Sequence, residues 1–203
     1  MNESDSRGAH GSAGRDERWG VWGAMSGPAM SVRRRNIEIK CRCVDLDAVR
    51  RRAEALGARD AGVLRQTDTF FEAPHARLKL RDFGDGTAEL ISYRRPDTPA
   101  ARGSDFIVCP VSAPAPLGEA LAYALGVTSI VKKTRHLFLH RATRIHLDDV
   151  DGLGTFVELE TVMSGQSDRE GHAELDEIAA ALGLGVADRV PVPYIELLRG
   201  HDA

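Results

Sequence analysis

Polar and apolar residues alternate with a period of two along most of the chain beyond residue 36, in short runs separated by turn-forming residues. Such alternation is typical of β-strands with one apolar and one polar face. Helical spacing, with apolar residues three and four apart, occurs in only a few segments. The pattern predicts eight strands, over residues 36–44, 63–71, 76–82, 87–95, 104–111, 130–140, 143–150 and 156–162.

Four helices are predicted between and after these strands. The first runs from residue 45 or 47 to 56, and the second covers 117–125. The third covers 169–182, with Asp168 as its N-cap, and a short helix over 193–199 ends the pattern. Eight strands with few helices indicate a closed barrel or a strongly curved sheet.

Composition separates an N-terminal segment from the rest. Residues 1–34 are rich in Gly, Ser, Ala and charge without periodicity, which predicts a disordered tail before a single domain over 35–200. The net charge of −3 gives no reason to expect a nucleic-acid partner. No apolar run approaches the ~18 residues of a membrane span, and the absence of an apolar segment near residue 1 leads us to expect no secretory signal. Three cysteines without a C-x-x-C pair favour reduced thiols and a cytoplasmic location.

Several strands carry their charges on one face. Arg77, Lys79 and Arg81 share a face, and Leu78 and Leu80 occupy the other. Like charges at alternate positions repel each other unless a counter-ion lies between them, so these cations favour a polyanion. By the same argument, Glu158 and Glu160 favour a cation. The pattern alone leaves two interpretations open: an ordinary sheet with its charges in water, or a barrel whose charges point inward onto a ligand.

Six motifs also resemble, in order, those of the CYTH domain, or triphosphate tunnel, family. N-I-E-I-K resembles the family's opening E-x-E-x-K motif, A-R-L-K-L-R its basic third strand, and R-R-P a strand with a cation two residues before a proline. V-K-K-T-R, T-R-I-H-L-D and F-V-E-L-E resemble its K-x-R strand, its strand ending in an acid, and its late E-x-E strand. The set spans about residues 36–198, and 131–160 is most similar to the class IV adenylate cyclase branch.

The resemblance implies an α+β fold, with an eight-stranded antiparallel barrel, a charged lumen and helices packed outside. It also implies Mg²⁺ or Mn²⁺ as cofactor and a triphosphate-containing small molecule as ligand. Metal ligands implied by position are Glu38, Asp148, Glu158 and Glu160. The implied phosphate-binding cations are Lys40, Arg77, Lys79, Arg81, Arg94, Lys133, Arg135 and Arg144.

Four further positions refine this picture. Lys40, Asp148 and His146 are the candidate catalytic residues, with His146 either a general base or a hydrogen-bonding lumen residue. Asp68, in a Q-x-D-x-F-F run with Gln66, is expected to be structural. Asn36 replaces the first glutamate of E-x-E-x-K, so its amide oxygen would bring a metal ligand without charge.

The expected activity is metal-dependent triphosphate chemistry: hydrolysis of a triphosphate, or cyclisation of ATP to cAMP and pyrophosphate. One alternative is a non-catalytic domain that binds polyphosphate or nucleotide, and another is a structural barrel whose charges pair among themselves. An enclosed lumen would exclude duplex nucleic acid, and no membrane partner is expected. The oligomeric state stays open, with a homodimer as one option.

Overall fold

Eight antiparallel strands form a closed barrel in the computed structural model, which describes residues 32–94 and 102–200. The order around the barrel is β1-β5-β4-β3-β2-β6-β7-β8, and pairing of β8 with β1 closes the ring. The predicted fold class is therefore confirmed. The strands are β1 (Val32–Arg42), β2 (Arg59–Phe71), β3 (Arg77–Asp82), β4 (Ala88–Arg94), β5 (Arg102–Val111), β6 (Val127–His140), β7 (Thr143–Val150) and β8 (Gly154–Val162).

Within the described residues, four α-helices surround the barrel: α1 (Leu46–Ala55), α2 (Pro114–Leu125), α3 (Asp168–Leu182) and α4 (Tyr194–Arg199). The predicted N-cap of α3 was wrong by one residue. Ser167 is the N-cap, and it forms a capping box in which its Oγ accepts from the Glu170 N–H and the Glu170 carboxylate accepts from the Ser167 N–H. Asp168 instead lies in the first turn, where its negative charge favours the helix N-terminus.

The largest apolar core lies outside the barrel wall. Ile37 and Ile39 of β1 and Leu159 of β8 are buried there, against Leu175 and Ile178 of α3. Helix α1 adds Val49 and Ala53 to the same cluster. Because strand side chains alternate between faces, this outward apolar layer leaves the intervening polar residues pointing into the barrel.

A second cluster places α2 over β2, β3 and β4. Leu117 and Leu121 of α2 pack near Phe71, Leu80 and Ala88. The predicted cover of helices is incomplete, because Val63 of β2 and Ile130 of β6 remain 60% and 52% exposed on the outer face.

The third cluster joins α4 to the β7–β8 hairpin. Tyr194 and Ile195 pack against Val150, Leu153 and Phe156. The ring of Tyr194 meets that of Phe156 edge-on, with centroids 5.0 Å apart. This packing brings a short C-terminal helix to the lumen, where Pro193 and Tyr194 become part of the cavity wall.

Several element boundaries differ from the expected ones. β1 begins at Val32, β2 at Arg59 and α2 at Pro114, each before its predicted start. The early part of β2 contains a register shift between Asp60 and Val63, which breaks the simple alternation. Residues 1–31 of the predicted tail lie outside the described residues. No helix in the described part of the chain combines the length and apolarity needed to cross a bilayer.

Candidate active site

The charged faces of the strands converge on one cavity inside the barrel. Lys79, Lys133 and Glu158, from three different strands, all line it. This excludes an open sheet with its charges in water. The cationic lining residues are Lys40, Lys79, Arg81, Lys133, Arg135 and Arg144, and the acidic ones are Glu38, Asp68, Glu89, Glu158 and Glu160. The numbers of cationic and acidic lining residues are more nearly equal than the sequence indicated. What the lumen can bind therefore depends on where these charges lie within it.

One side of the lumen is a basic cluster built around Asp68. Its carboxylate accepts hydrogen bonds from Arg81 at 2.7 and 2.8 Å and from Lys79 at 2.8 Å. The Lys133 ammonium lies 3.5 Å from the same carboxylate. Three basic side chains therefore share one carboxylate on this side of the lumen.

The pKa values of this cluster reflect that crowding. Burial alone would raise the pKa of Asp68, but Arg81, Lys79 and Lys133 together hold it well below its usual range. Burial lowers the pKa of Lys133 to about 7, and neighbouring Arg135 and Arg81 act in the same direction. Burial and Arg81 also lower the pKa of Lys79. A polyanion would favour the charged forms of both lysines.

The other side of the lumen is acidic. Glu38 of β1 lies directly opposite Glu160 of β8 in the antiparallel register, and Glu158 lies opposite Lys40. Burial alone would raise the pKa of Glu158, but Lys40, His146 and Arg135 hold it well below its usual range. Both glutamates of β8 are therefore ionised near neutral pH, as metal-ligating carboxylates must be.

His146 approaches these glutamates from β7. Its Nδ1 lies 3.7 Å from Glu158 Oε2 and 3.9 Å from Glu160 Oε1. One potential ligand atom from each of the three residues lies within 4.8 Å of the others. Burial and the charge of Arg135 lower the pKa of His146, which favours a neutral imidazole. His146 is not among the residues that line the lumen.

Asp148, a predicted metal ligand, lies outside the group formed by His146, Glu158 and Glu160 and contacts Arg135 and Tyr194. It is completely buried, and Arg135 donates to both of its oxygens at 2.7 and 2.6 Å. The Tyr194 hydroxyl donates a third hydrogen bond at 3.0 Å. Arg135 also donates to Glu158 at 2.6 Å. Asp148 therefore holds Arg135 in place, and Arg135 in turn reaches the lumen.

Lys40 occupies the boundary between the two sides. Its ammonium lies 3.8 Å from Glu158 Oε1 and 3.8 Å from the centroid of the Tyr194 ring, and donates weakly to the Val192 carbonyl at 3.5 Å. These contacts hold a buried cation beside the acidic group. Arg144 lies on the acidic side as well, 3.8 Å from Glu160.

Two predicted phosphate-binding residues lie outside the cavity lining. Arg77 shares the face of Lys79 but donates to Glu196 of α4 at 2.8 Å. Arg94 is exposed and donates to the His75 carbonyl at 3.2 Å. On β4 it is Tyr93, the preceding residue, that lines the lumen, and Arg94 therefore points to the opposite face.

The lumen also contains residues that the sequence analysis missed. Glu89 lies opposite Arg81 in the β3–β4 register, and burial raises the pKa of its carboxyl group. The sequence could have indicated Glu89, because a short turn between β3 and β4 places it opposite Arg81. An apolar wall, defined here as Ile91, Tyr93, Phe106 and Val108 of β4 and β5, completes the cavity. Tyr93 lies opposite Phe106, and Ile91 opposite Val108.

The CYTH domain family matches residues 34–194, from the third residue of β1 to the first residue of α4. The chain belongs to the CYTH domain family. No curated protein matches the sequence. Membership of this family is consistent with both the ordered sequence motifs and the charged lumen.

Solved structures share this CYTH fold. The PH1012 protein of Pyrococcus horikoshii OT3 is 28% identical, with a TM-score of 0.72 over 80% of this chain and 98% of that one. A candidate adenylate cyclase from Vibrio parahaemolyticus is 21% identical, with a TM-score of 0.67 over 82% and 98%. HpAC1 from Hippeastrum, a candidate adenylyl cyclase described as having a dominant triphosphatase activity, is 13% identical, with a TM-score of 0.54 over 74% and 88%.

The acidic side of the lumen has the donor chemistry that a divalent cation requires. Glu38, Glu158 and Glu160 offer carboxylate oxygens, the preferred ligands of hard cations. Asn36 adds an amide oxygen that lines the same cavity and has no hydrogen-bond partner among the described residues. A buried acceptor without a partner is costly, so the residues present fit a bound cation.

Proposed function

We propose that this CYTH domain is a metal-dependent enzyme that acts on an organic triphosphate, and that its principal reaction is hydrolysis. The observation that carries the proposal is the division of one lumen into a basic side around Asp68 and an acidic side around Glu158 and Glu160. A phosphate chain with its divalent cation has the same division of charge. Charges that merely paired among themselves would not need to separate in this way.

The cations bind and orient the phosphate chain. Lys79, Arg81 and Lys133 form the basic side, and Arg135 extends it towards Glu158. Burial strengthens their interaction with phosphate oxygens, and Arg side chains bind such oxygens through paired N–H groups. In hydrolysis, water attacks the terminal phosphorus and the bond to the bridging oxygen breaks, so these fixed cations stabilise the charge that develops there.

Glu38, Glu158 and Glu160 would hold a divalent cation, with Mg²⁺ or Mn²⁺ as the candidates. When bound, such a cation neutralises phosphate charge and polarises the P–O bonds. Lys40, beside Glu158 and within the lumen, is positioned to contact the phosphate closest to the metal. Asp148 contributes by holding Arg135 rather than by touching substrate.

The apolar wall supports an organic substrate over inorganic tripolyphosphate. Aromatic side chains at Tyr93 and Phe106 provide a surface on which a flat ring can stack, and such stacking contributes about 1–3 kcal/mol per nucleobase. The same surface supports a second candidate reaction, in which the ribose 3′-hydroxyl of ATP attacks the α-phosphorus and releases pyrophosphate. The Hippeastrum protein, which shares this fold, is described as a candidate adenylyl cyclase with a dominant triphosphatase activity.

A substrate panel tests the proposal. The protein is incubated with ATP, thiamine triphosphate or inorganic tripolyphosphate, with Mg²⁺ or Mn²⁺, and products are followed by ³¹P NMR and chromatography. We expect phosphate release that is faster from an organic triphosphate and absent without metal. Release of cAMP and pyrophosphate would establish cyclisation instead. Tight metal-dependent binding without turnover would identify a non-catalytic binding domain, and no binding at all would overturn the proposal.

Variants test the residue assignments. Glu160→Gln removes one acidic ligand and should abolish metal-dependent turnover with the fold retained, whereas Glu177→Gln, in a surface pair with Arg141, should have no effect.

Phe106→Leu should raise the KM for an organic triphosphate about tenfold and leave the KM for tripolyphosphate unchanged. Equal effects on both substrates would show that the apolar wall does not contact the organic group.

A further inference from the structure

We infer that His146 is a nitrogen ligand of the divalent cation on the acidic side of the lumen, so that this site prefers a transition-metal ion such as Mn²⁺ over Mg²⁺. The inference deepens the proposed function, because it concerns the cation that accompanies the substrate there. It assigns the imidazole a position in the metal site, in place of the two roles that the sequence left open, a general base or a hydrogen-bonding lumen residue.

The geometry of the imidazole supports ligation over hydrogen bonding. His146 Nδ1 lies 3.7 Å from Glu158 Oε2 and 3.9 Å from Glu160 Oε1, both beyond hydrogen-bond distance. Two ligands of one ion, each about 2.0–2.2 Å from it, lie about 3–4 Å apart. Both distances from His146 Nδ1 therefore already match the separation of two ligands of one ion.

Burial makes this spacing significant. His146 is only 3% exposed, and its Nδ1 has no hydrogen-bond partner within residues 32–94 and 102–200. A ring nitrogen aimed between two carboxylates without bonding to either is a costly arrangement unless something lies between them. Glu158 Oε2 already accepts from Arg135 at 2.6 Å, but a carboxylate oxygen has two lone pairs and can still ligate an ion.

A second unpartnered side-chain atom belongs to a residue that lines this lumen. Asn36 is 5% exposed, lines the lumen, and its Oδ1 has no hydrogen-bond partner in the described part of the chain. It lies two residues before Glu38 on the same strand face, and Glu38 is directly opposite Glu160. The two unpartnered atoms therefore belong to β1 and β7, the two strands that pair with β8, which carries Glu158 and Glu160.

The position of His146 argues against proton abstraction. The two glutamates line the lumen and His146 does not. A general base must reach the proton that it removes, directly or through one water molecule. The imidazole lies in the barrel wall beside two carboxylates that line the lumen. This position suits ligation of an ion bound by those carboxylates better than it suits proton abstraction.

The ligand chemistry sets the expected metal preference. Mg²⁺ prefers oxygen ligands in octahedral geometry and retains several water molecules. Imidazole nitrogen favours first-row transition metals over Mg²⁺, and Mn²⁺ is the member of that series that also suits carboxylate ligands. Replacing His146 should therefore weaken Mn²⁺ binding much more than Mg²⁺ binding.

The test uses the full chain, stripped of metal and then loaded with Mn²⁺ alone. Electron spin echo envelope modulation detects ¹⁴N coupled to Mn²⁺, and loss of the aqueous Mn²⁺ signal gives the affinity. We expect imidazole ¹⁴N modulation in the unmodified protein. His146→Gln should lose it and bind Mn²⁺ at least tenfold more weakly, with less than a threefold change for Mg²⁺. His136→Gln, on the outer face beside Asp60, is the matched control and should change neither property.

The outcomes separate this inference from the proposed function. Mn²⁺ binding without ¹⁴N modulation, or modulation that persists in both His146→Gln and His146→Asn, overturns the inference and leaves triphosphate turnover to be judged by ³¹P NMR. No Mn²⁺ binding, alone or with tripolyphosphate, also overturns it. Nitrogen coordination in a protein that turns over no triphosphate would support the inference and contradict the proposed function. Circular dichroism checks that both variants fold.

Discussion

Arg135 and Asp148 form a doubly hydrogen-bonded ion pair, at 2.7 and 2.6 Å, in which Asp148 has no contact with solvent. The pair joins adjacent strands, because the two residues lie directly opposite each other on β6 and β7. Arg135 spans from this buried partner to Glu158 at 2.6 Å. The stability of the barrel wall and the position of a lumen cation therefore depend on one carboxylate.

Asp148→Asn should lower the free energy of unfolding by about 3–5 kcal/mol, because it leaves a buried guanidinium without its principal counter-charge. The measurement is urea denaturation at pH 7. Asp168→Asn breaks an exposed pair with Arg35, in which each side chain is about half exposed, and should cost at most about 1 kcal/mol. Similar losses in the two variants would contradict the role given to Asp148.

Asp68→Asn should destabilise the unliganded protein and enlarge its stabilisation by tripolyphosphate. The change leaves Lys79, Arg81 and Lys133 without a shared carboxylate, and a polyanion can replace the missing charge. Melting temperatures with and without tripolyphosphate measure both effects. The ligand-induced increase should be larger in the variant than in the unmodified protein.

Asp60→Asn is the control for that experiment, since it removes an acid from β2 that pairs with His136 outside the lumen. It should leave the ligand-induced increase unchanged. An increase no larger in Asp68→Asn than in the control would show that tripolyphosphate does not bind beside Asp68.

Above neutral pH, we expect triphosphate binding to be accompanied by uptake of a proton at Lys133. Its pKa is about 7 in the fold and about 10.4 in an unfolded chain. Between those values the unfolded chain binds the proton that the folded one lacks, so the contribution of Lys133 to stability rises as pH rises from 7 to about 10.4. A bound polyanion favours the charged ammonium, so we expect proton uptake on binding at pH 8.

Calorimetric titration of tripolyphosphate at pH 8, in two buffers with different ionisation enthalpies, measures that uptake. Lys133→Arg keeps the positive charge but cannot lose its proton, so it is the matched variant. Proton uptake should be smaller in Lys133→Arg. Equal uptake in both proteins would place the titrating group elsewhere.

Asn36→Glu should raise Mn²⁺ affinity and lower the stability of the metal-free protein. The new carboxylate would join Glu38 on one strand face, where like charges repel until a cation binds. Affinity is measured from the aqueous Mn²⁺ signal, and stability by urea denaturation without metal. Asn36→Gln lengthens the side chain without adding charge and should not raise affinity. An unchanged or lower affinity for Asn36→Glu would mean that position 36 does not reach the ion.

The sequence by itself determined which strand faces are charged, because side chains in a strand alternate between two faces whatever its partners are. That rule placed Lys79, Lys133 and Glu158 on polar faces, and the apolar residues between them predicted an outer layer covered by helices. The order of motifs then identified the family and the closed barrel.

Tertiary structure decided what each charged side chain contacts. Asp148 was predicted as a metal ligand. In the structure, the register of β6 with β7 places it opposite Arg135, and Tyr194 approaches it from a remote helix. Its oxygens therefore accept hydrogen bonds from the Arg135 guanidinium and the Tyr194 hydroxyl group. Arg94 was predicted in the lumen, but the pairing of β3 with β4 turns Tyr93 inward instead. A period of two fixes relative faces within one strand, whereas register, barrel closure and remote packing fix the partners.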